Sequence, residues 1–205
     1  MEFKHLVKTG YNKIAEEYLA SRTRNSEDIR LLDDLIYRLP RNAIVLDAGC
    51  GAGIPVTRIL SERFEVTGVD FSEAQIELAK KNIPQASFIC RDMTRLDETD
   101  GTFDAICCYY AIIHIPREEH QPVLLNFYRM LKPGGLGLFC LGAENLVGDI
   151  DENYFGTPMY WSHFDADTYL QILKEIGFFL LWSKIVADET CEGSGHLFAL
   201  VQKGA

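Results

Sequence analysis

Hydrophobic positions along the chain follow two regimes. Up to about residue 40 they recur at helical spacing. Tyr11, Ile14, Ala15 and Tyr18 share one helical face, and Ile29, Leu32, Leu35 with Ile36, and Leu39 share another. Pro40 stops the second stripe, and the polar stretch SRTRNSED separates the two. From residue 43 short apolar runs alternate with amphipathic ones. AIVLDAGC, EVTGVDFS, ASFICRD, FDAICCYYAII and LGLFCLGA read as strands. IPVTRILSERF, SEAQIELAKKNI and PVLLNFYRML read as helices, the last closed by LKPGG. Ser72 and Gln75 have capping-box spacing at the start of the middle helix.

Strands that are apolar without alternation are buried on both faces, which predicts a parallel sheet covered by helices on each side. The tail differs. TYLQILKEIGF reads as a helix, and FLLWSKIVAD and HLFALVQK as strands joined by the turn-rich ETCEGSG, an antiparallel pair at the sheet edge. The expected architecture is therefore α/β and doubly wound, one domain over residues 1–205. Residues 143–167 break the alternation and read as a long loop dense in aromatics: Tyr154, Phe155, Tyr160, Trp161 and Phe164. A long loop in a compact domain is usually functional or disordered, and the density of rings here makes a substrate wall the expected reading.

Composition narrows the partners. The chain has 20 Lys+Arg against 30 Asp+Glu, a net charge of -10. A protein that binds nucleic acid by neutralising phosphates is basic, so neither DNA nor RNA is an expected partner, and an anionic membrane is disfavoured for the same reason. The longest strictly apolar run, Ala105 to Ile113, is nine residues. A membrane span needs about 20. MEFKHLVKTG has no apolar signal core, and Glu2 stands where myristoylation needs glycine. The expectation is a cytoplasmic protein, monomer or homodimer. The cysteines Cys50, Cys90, Cys107, Cys108, Cys140 and Cys191 form no C-x-x-C pair and read as buried, reduced thiols rather than metal ligands. Cys107 and Cys108, adjacent on a strand, are expected on opposite faces.

The chemistry begins at Val45-Leu46-Asp47-Ala48-Gly49-Cys50-Gly51-Ala52-Gly53, a glycine turn between a strand and a helix. That is the nucleotide-binding position of doubly wound folds. A dinucleotide fingerprint reads G-x-G-x-x-G/A. Here the spacing is G-x-G-x-G, with Ile54 in place of the third small residue. Asp47 beside the loop would repel a pyrophosphate and suit an ammonium or sulfonium ligand. S-adenosylmethionine carries both cations and no phosphate. Asp70, at the end of the second strand, can accept from both ribose hydroxyls, with Phe71 packed on the adenine. Asp92 can accept from the adenine amine, with Met93 against the ring.

The DAGCGAG loop, VDFS, RDM, FDAICCYYAIIHI and LKPGG stand in order over residues 43–142. In this the chain resembles the class I S-adenosylmethionine-dependent methyltransferases of small molecules, similar to the quinone-biosynthesis enzymes. The resemblance implies a Rossmann-like sheet of order 3-2-1-4-5-7-6 with its seventh strand antiparallel. It implies that Asp47, Gly49 and Gly51 line the methionine part of the cofactor, with Cys50 and Gly53 in the same loop. Asp70 would hold the ribose, Asp92 and Met93 the adenine, and Cys108 and Tyr109 the methionine amine. An N-terminal Y-x-x-x-A-x-x-Y segment, here Tyr11, Ala15 and Tyr18, would cap the cofactor. After strand four stands Cys-Tyr-Tyr-Ala at 108–111 rather than an N-P-P-Y-type segment, which argues against methylation of amino groups on bases or glutamine.

The expected reaction is in-line methyl transfer to an O, N, S or C nucleophile of a small molecule, leaving S-adenosylhomocysteine. The protein must align the nucleophile and exclude water. A base is needed only where the nucleophile arrives protonated, and His114 and His163 are the candidates. Tyr18, Tyr110, Tyr160 and Trp161 are expected around the acceptor. His5, His120 and His196 carry no signal. Two other classes remain: a non-catalytic S-adenosylmethionine-binding partner or sensor, and an NAD-type oxidoreductase, which the loop spacing disfavours.

Overall fold

The computed structural model describes residues 2–22, 26–187 and 195–204. Its strands are β1 (Ile44–Ala48), β2 (Glu65–Asp70), β3 (Ser87–Cys90), β4 (Phe103–Cys108), β5 (Leu131–Gly142), β6 (Leu146–Tyr154), β7 (Thr157–His163), β8 (Phe178–Ala187) and β9 (Gly195–Lys203). The helices are α1 (Glu2–Ser21), α2 (Glu27–Arg30), α3 (Leu32–Arg38), α4 (Val56–Ser61), α5 (Glu73–Asn82), α6 (His120–Met130) and α7 (Ala166–Ile176). Seven strands form one sheet of order β3-β2-β1-β4-β5-β9-β8, and β6 pairs only with β7. β9 is antiparallel to both β5 and β8, and β1 to β5 are parallel. This is the expected order, with β8 and β9 as its sixth and seventh strands.

Side chains alternate across each strand, so one sequence feeds two cores. Val45, Ala105, Cys107 and Leu138 pack with residues of α2, α3 and α4. Leu46, Ile106, Cys108 and Phe139 pack on the other face with residues of α6 and α7. Cys107 and Cys108 thus face opposite sides, as expected. Burying a ring such as Phe127 or Phe139 completely is worth about 1.5–3 kcal/mol each. His120 joins α6 to α7: its Nδ1 lies 2.6 Å from the Tyr169 hydroxyl and its Nε2 2.9 Å from the Ile115 carbonyl. The carbonyl can only accept, so Nε2 carries the proton and Nδ1 accepts from the tyrosine.

Some expectations need correction. Residues 143–167 are not an irregular loop but contain the β6–β7 hairpin. Its turn is Phe155-Gly156, both at positive φ, the geometry favoured between twisted strands. A phenylalanine in that position hides the signal that Asn or Asp would give, and β6 lies too exposed to show clean alternation. The hairpin seats α1: Val7, Tyr11 and Ile14 cluster with Met159 and Tyr160. α4 covers less than the expected stretch. Cys90 is exposed rather than buried, because β3 is the outermost strand. Cys191 and most of the ETCEGSG turn lie outside the described residues. Among the described residues no helix is long and apolar enough to cross a membrane.

Candidate active site

Parallel strands end on one side, and the segments after β1, β2, β3 and β4 meet there under α1. They enclose a cleft lined by Tyr11, Tyr18, Gly49, Gly51, Asp70, Phe71, Asp92, Met93, Tyr109, Tyr110 and His114. Asp47 and Cys50 line an adjoining recess with Tyr18, Gly49, Gly51 and Tyr109. Most of the sites read from the sequence thus converge.

The glycine loop is pinned to β2 because the Gly49 and Cys50 N–H groups both donate to the Val69 carbonyl, at 2.7 and 3.0 Å. Gly49 has φ +78°, and a Cβ there would sit 2.1 Å from the Ala111 Cβ. The loop therefore packs tightly on the segment after β4. Gly51, at φ +53°, differs: a Cβ there would meet nothing nearer than the Gln75 Oε1, at 3.6 Å. It lines the cleft beside the Gln75 amide.

Two buried carboxylates flank this loop. Asp47 is 1% exposed and accepts from the Thr57 hydroxyl at 2.5 Å. Burial pushes its carboxyl up to about 7, against the Thr57 hydrogen bond, and the charge of Asp70 adds to the rise. Asp70 accepts from the Gly51 N–H at 3.0 Å and the Ser72 N–H at 2.9 Å. Burial raises it to about 6 in spite of those donors. Among the described residues neither carboxylate is in an ion pair. Such a recess attracts a cation and repels phosphate.

Gln75 was legible in the sequence only as half of a capping box. Half of that box forms: the Ser72 hydroxyl accepts from the Gln75 N–H. The Ser72 N–H goes to Asp70 instead, so the Gln75 amide is released from the cap. Gln75 is 1% exposed and lines the cleft, and neither end of its amide has a hydrogen-bond partner among the described residues. A buried amide left unpaired costs about 1–3 kcal/mol. Nothing in the helical pattern separates this polar inward position from a packing residue.

His114 sits at the base of the cleft. Its Nδ1 is 2.9 Å from the Tyr160 carbonyl and its Nε2 is 2.9 Å from the Tyr11 hydroxyl. The carbonyl only accepts, so Nδ1 is protonated, and Nε2 accepts from the tyrosine. Burial lowers its pKa to about 4. The same burial raises the Tyr11 hydroxyl well above its ordinary value.

Several expected residues stand elsewhere. Gly53 serves packing: a Cβ there would lie 2.6 Å from the Ile83 Cδ1. The Cys108 side chain is in the core against α6, because alternation along β4 turns it away from the cleft. Tyr160 and Trp161 do not line the cleft. Tyr160 stacks on Phe3 at 4.2 Å, and Trp161 packs beside His114 at 5.3 Å. His163 is also outside it, its ring against Gly142 and its Nδ1 2.6 Å from the Glu144 carbonyl. The hairpin aromatics thus support α1 and His114 rather than walling the cleft. Asp92 lines the cleft and also caps a turn, accepting from the Thr94 N–H and hydroxyl at 2.9 Å.

α1 is tethered over the cleft at both flanks. Lys4 reaches Thr94 at 2.9 Å and Glu119 at 2.5 Å. Asn12 accepts from the Ser72 hydroxyl at 2.7 Å, and Lys13 donates to the Gly156 carbonyl at 3.0 Å.

Comparison with known proteins agrees with this architecture. Residues 45–135 match the family described as methyltransferase domain. YqeM of Bacillus subtilis, described as a methyltransferase candidate, is 28% identical over 69% of this chain and 62% of its own length. A ubiquinone biosynthesis O-methyltransferase of Coxiella burnetii is 35% identical over 44% of this chain and 40% of its own. A tRNA N(3)-methylcytidine methyltransferase of Schizosaccharomyces pombe is 29% identical over 63% of this chain and 46% of its own. The chain thus spans between two-fifths and just over three-fifths of these relatives. The crystal structure of a Burkholderia thailandensis 1,6-didemethyltoxoflavin-N1-methyltransferase, with its acceptor and S-adenosylhomocysteine bound, superposes with a TM-score of 0.75 at 17% identity, covering 100% of this chain and 90% of that one.

Proposed function

We propose that this chain, whose residues 45–135 belong to the methyltransferase-domain family and whose sheet is that of the class I S-adenosylmethionine-dependent methyltransferases, binds S-adenosylmethionine in this cleft and methylates a small molecule. The observation that carries the reading is the unpaired buried polarity beside the glycine loop. Among the described residues Asp47 and Asp70 lack a cation and the Gln75 amide lacks a partner, and a Cβ at Gly51 would meet only that amide, at 3.6 Å. A cationic ligand with hydroxyls and no phosphate matches all of these at once. A dinucleotide would set a pyrophosphate beside two carboxylates.

In this reading Asp47 and the glycine loop hold the amino-acid end. Asp70 and Gln75 bind the ribose hydroxyls, and Phe71 and Met93 pack on the adenine beside Asp92. When bound, the cofactor supplies an activated methyl group with a neutral sulfide as its leaving group. The chain contributes alignment and dryness: α1 covers the cleft, and Tyr18 and Tyr110 bound the acceptor space. His114 is the proton acceptor, through Tyr11. A proton given up at the Tyr11 oxygen is matched by the tyrosine's own proton moving to Nε2, while Nδ1 stays bonded to the Tyr160 carbonyl. So weak a base suits a nucleophile that becomes strongly acidic as it is methylated, as an alcohol or phenol oxygen does.

A small acceptor fits a cleft roofed by α1 and a chain of net charge -10. The test has two stages. Thermal melting with S-adenosylmethionine, S-adenosylhomocysteine, NAD, NADP and FAD comes first. A ligand at about 100 times its Kd adds about 2.7 kcal/mol, a rise of a few degrees for a domain of this size. The expected rise is with the first two alone; a rise with NAD, or with none, removes the cofactor reading. Transfer of labelled methyl to pooled amines, phenols and thiols, with bulk tRNA alongside, comes second. Label in tRNA alone would overturn the acceptor class. Cofactor binding with no transfer to any acceptor favours a sensor or partner subunit.

A further inference from the structure

We propose that the free edge of β6 docks an extended, basic segment of a partner protein, as a third strand of the β6–β7 hairpin. β6 pairs only with β7, in a two-stranded sheet. Among the described residues its second edge shares no backbone hydrogen bond with any other element. Its irregularities lie toward its ends, between Leu146 and Asp149 and between Asp151 and Tyr154. Asp149, Ile150 and Asp151 therefore stand in regular antiparallel register, opposite Trp161, Tyr160 and Met159. An unpaired edge is a template for a further strand, and proteins commonly blunt one with lysine or proline. β6, LVGDIDENY, has neither.

The chemistry of the edge selects its occupant. Asp149, Asp151 and Glu152 are exposed, and none is in an ion pair among the described residues. Beside Ile150 a shallow groove runs between β6 and the start of α1, lined by Phe3, Val147, Ile150 and Tyr160, with Asp149 and Glu118. Phe3 is 39% and Val147 63% exposed, so the groove offers apolar surface to a partner. Arg117 stands 3.7 Å from Glu118 but donates to Asn145, at 2.7 Å, and the edge keeps an excess of negative charge. Neighbouring residues on a strand point to opposite faces. An added strand that alternates basic and apolar residues thus sets its cations beside Asp149 and Asp151, and its apolar side chains beside Ile150. Backbone bonds supply affinity in such strand addition, and the alternating side chains supply the choice of partner. A second copy of this chain does not fit. Two β6 edges paired antiparallel about Ile150 would set each Asp149 opposite Asp151 of the other copy, and like charges directly opposed are destabilising. An anionic membrane is repelled for the same reason.

The test is fluorescence anisotropy on the full chain with the labelled peptide acetyl-RVKIKVR-amide as probe. Two isomers carry N-methyl groups on alternate residues, one at the odd positions and one at the even. A strand pairs with its neighbour through every second residue, so one isomer should bind like the parent and the other about tenfold or more weaker. The charge-reversed peptide acetyl-EVEIEVE-amide should not bind. Asp149→Lys with Asp151→Lys should weaken the parent peptide about tenfold or more, and raising salt from about 50 to about 500 mM severalfold. Both positions are exposed and outside the cleft, so the thermal midpoint and S-adenosylhomocysteine binding should stay as they were. If that double variant loses its midpoint, Asp149→Asn with Asp151→Asn takes its place, with an expected loss of about threefold to tenfold. No binding of the parent peptide overturns the proposal, as does binding indifferent to the substitutions. Equal binding of the two methylated isomers means charge attraction without strand pairing and overturns it too. A dimer in sedimentation that these substitutions alter gives the edge to a second copy instead, and equally refutes the partner.

Discussion

Cofactor binding should release a proton, and its size follows from Asp47. Its carboxyl is held at about 7 because it is buried, with no cation beside it among the described residues. At pH 6 about nine-tenths of free molecules therefore carry that proton, and at pH 8 about one-tenth. An ammonium bound at Asp47 requires the ionised form, and the amine of S-adenosylhomocysteine, which has no sulfonium to acidify it, is predominantly charged over this range. Asp47 should then release about 0.9 proton on binding at pH 6 and about 0.1 at pH 8, with up to about 0.5 more at pH 6 from Asp70, held at about 6. If only the ionised form binds, the apparent Kd rises by a factor of 1 plus the protonated-to-ionised ratio, so between pH 8 and pH 5 Asp47 alone should weaken S-adenosylhomocysteine about 90-fold, and protonation of Asp70, held at about 6, adds to that loss at the acid end. The assay is calorimetry in two buffers of different ionisation enthalpy at each pH; the difference in heat gives the proton count. Asp47→Asn should remove its share of the release and of the pH slope, leaving only the smaller Asp70 part. A Kd that is flat from pH 5 to 8 with no proton released at pH 6 would refute the placement of the ammonium on Asp47.

The same group makes the ligand-free protein less stable as pH rises. A carboxyl whose folded pKa is above its unfolded 3.8 favours folding fully below that value and loses the contribution as pH climbs through about 7. Asp47→Asn, which still accepts from Thr57, should therefore raise the ligand-free Tm by several degrees at pH 8 and little at pH 4, checked by calorimetric scans. Gly49→Ala would place a Cβ 2.1 Å from Ala111 at φ +78° and should lower stability by about 1–3 kcal/mol and cofactor affinity at least tenfold. Nitrogen NMR should find His114 neutral and protonated at Nδ1 down to about pH 5, since its pKa is about 4. Tyr11→Phe should shift the Nε2 resonance and cost about 1–2 kcal/mol by leaving that nitrogen unpaired. His120→Phe should lose comparable stability, read by urea melts, without changing cofactor affinity, because both its bonds are internal to the fold.

Much of this protein is written locally. Continuous apolar runs mark strands buried on both faces. The glycine spacing with Asp47, Asp70 and Asp92 placed a cleft at the ends of β1, β2 and β3, because each motif sits where its own strand must stop. Chain order with short connections then determined the sheet. What depends on distant segments meeting was not legible. The His114 tautomer is set by a carbonyl on β7, and its other nitrogen by Tyr11 on α1, more than a hundred residues away. His114 and His163 look alike in sequence; only packing brings one to the cleft and turns the other toward Gly142. The hairpin was hidden by a phenylalanine in its turn and by an exposed strand without alternation. Gln75 reads as a helix cap until Asp70 takes the Ser72 N–H and leaves its amide facing the cleft. Arg22 reads as one more charge in a polar stretch until the fold lays its guanidinium over the Tyr110 ring. Backbone periodicity is a property of neighbours in sequence, so it can be read along the chain. Burial of a charge, the partner of a buried amide and the choice of tautomer are properties of neighbours in space, and only the folded arrangement supplies them.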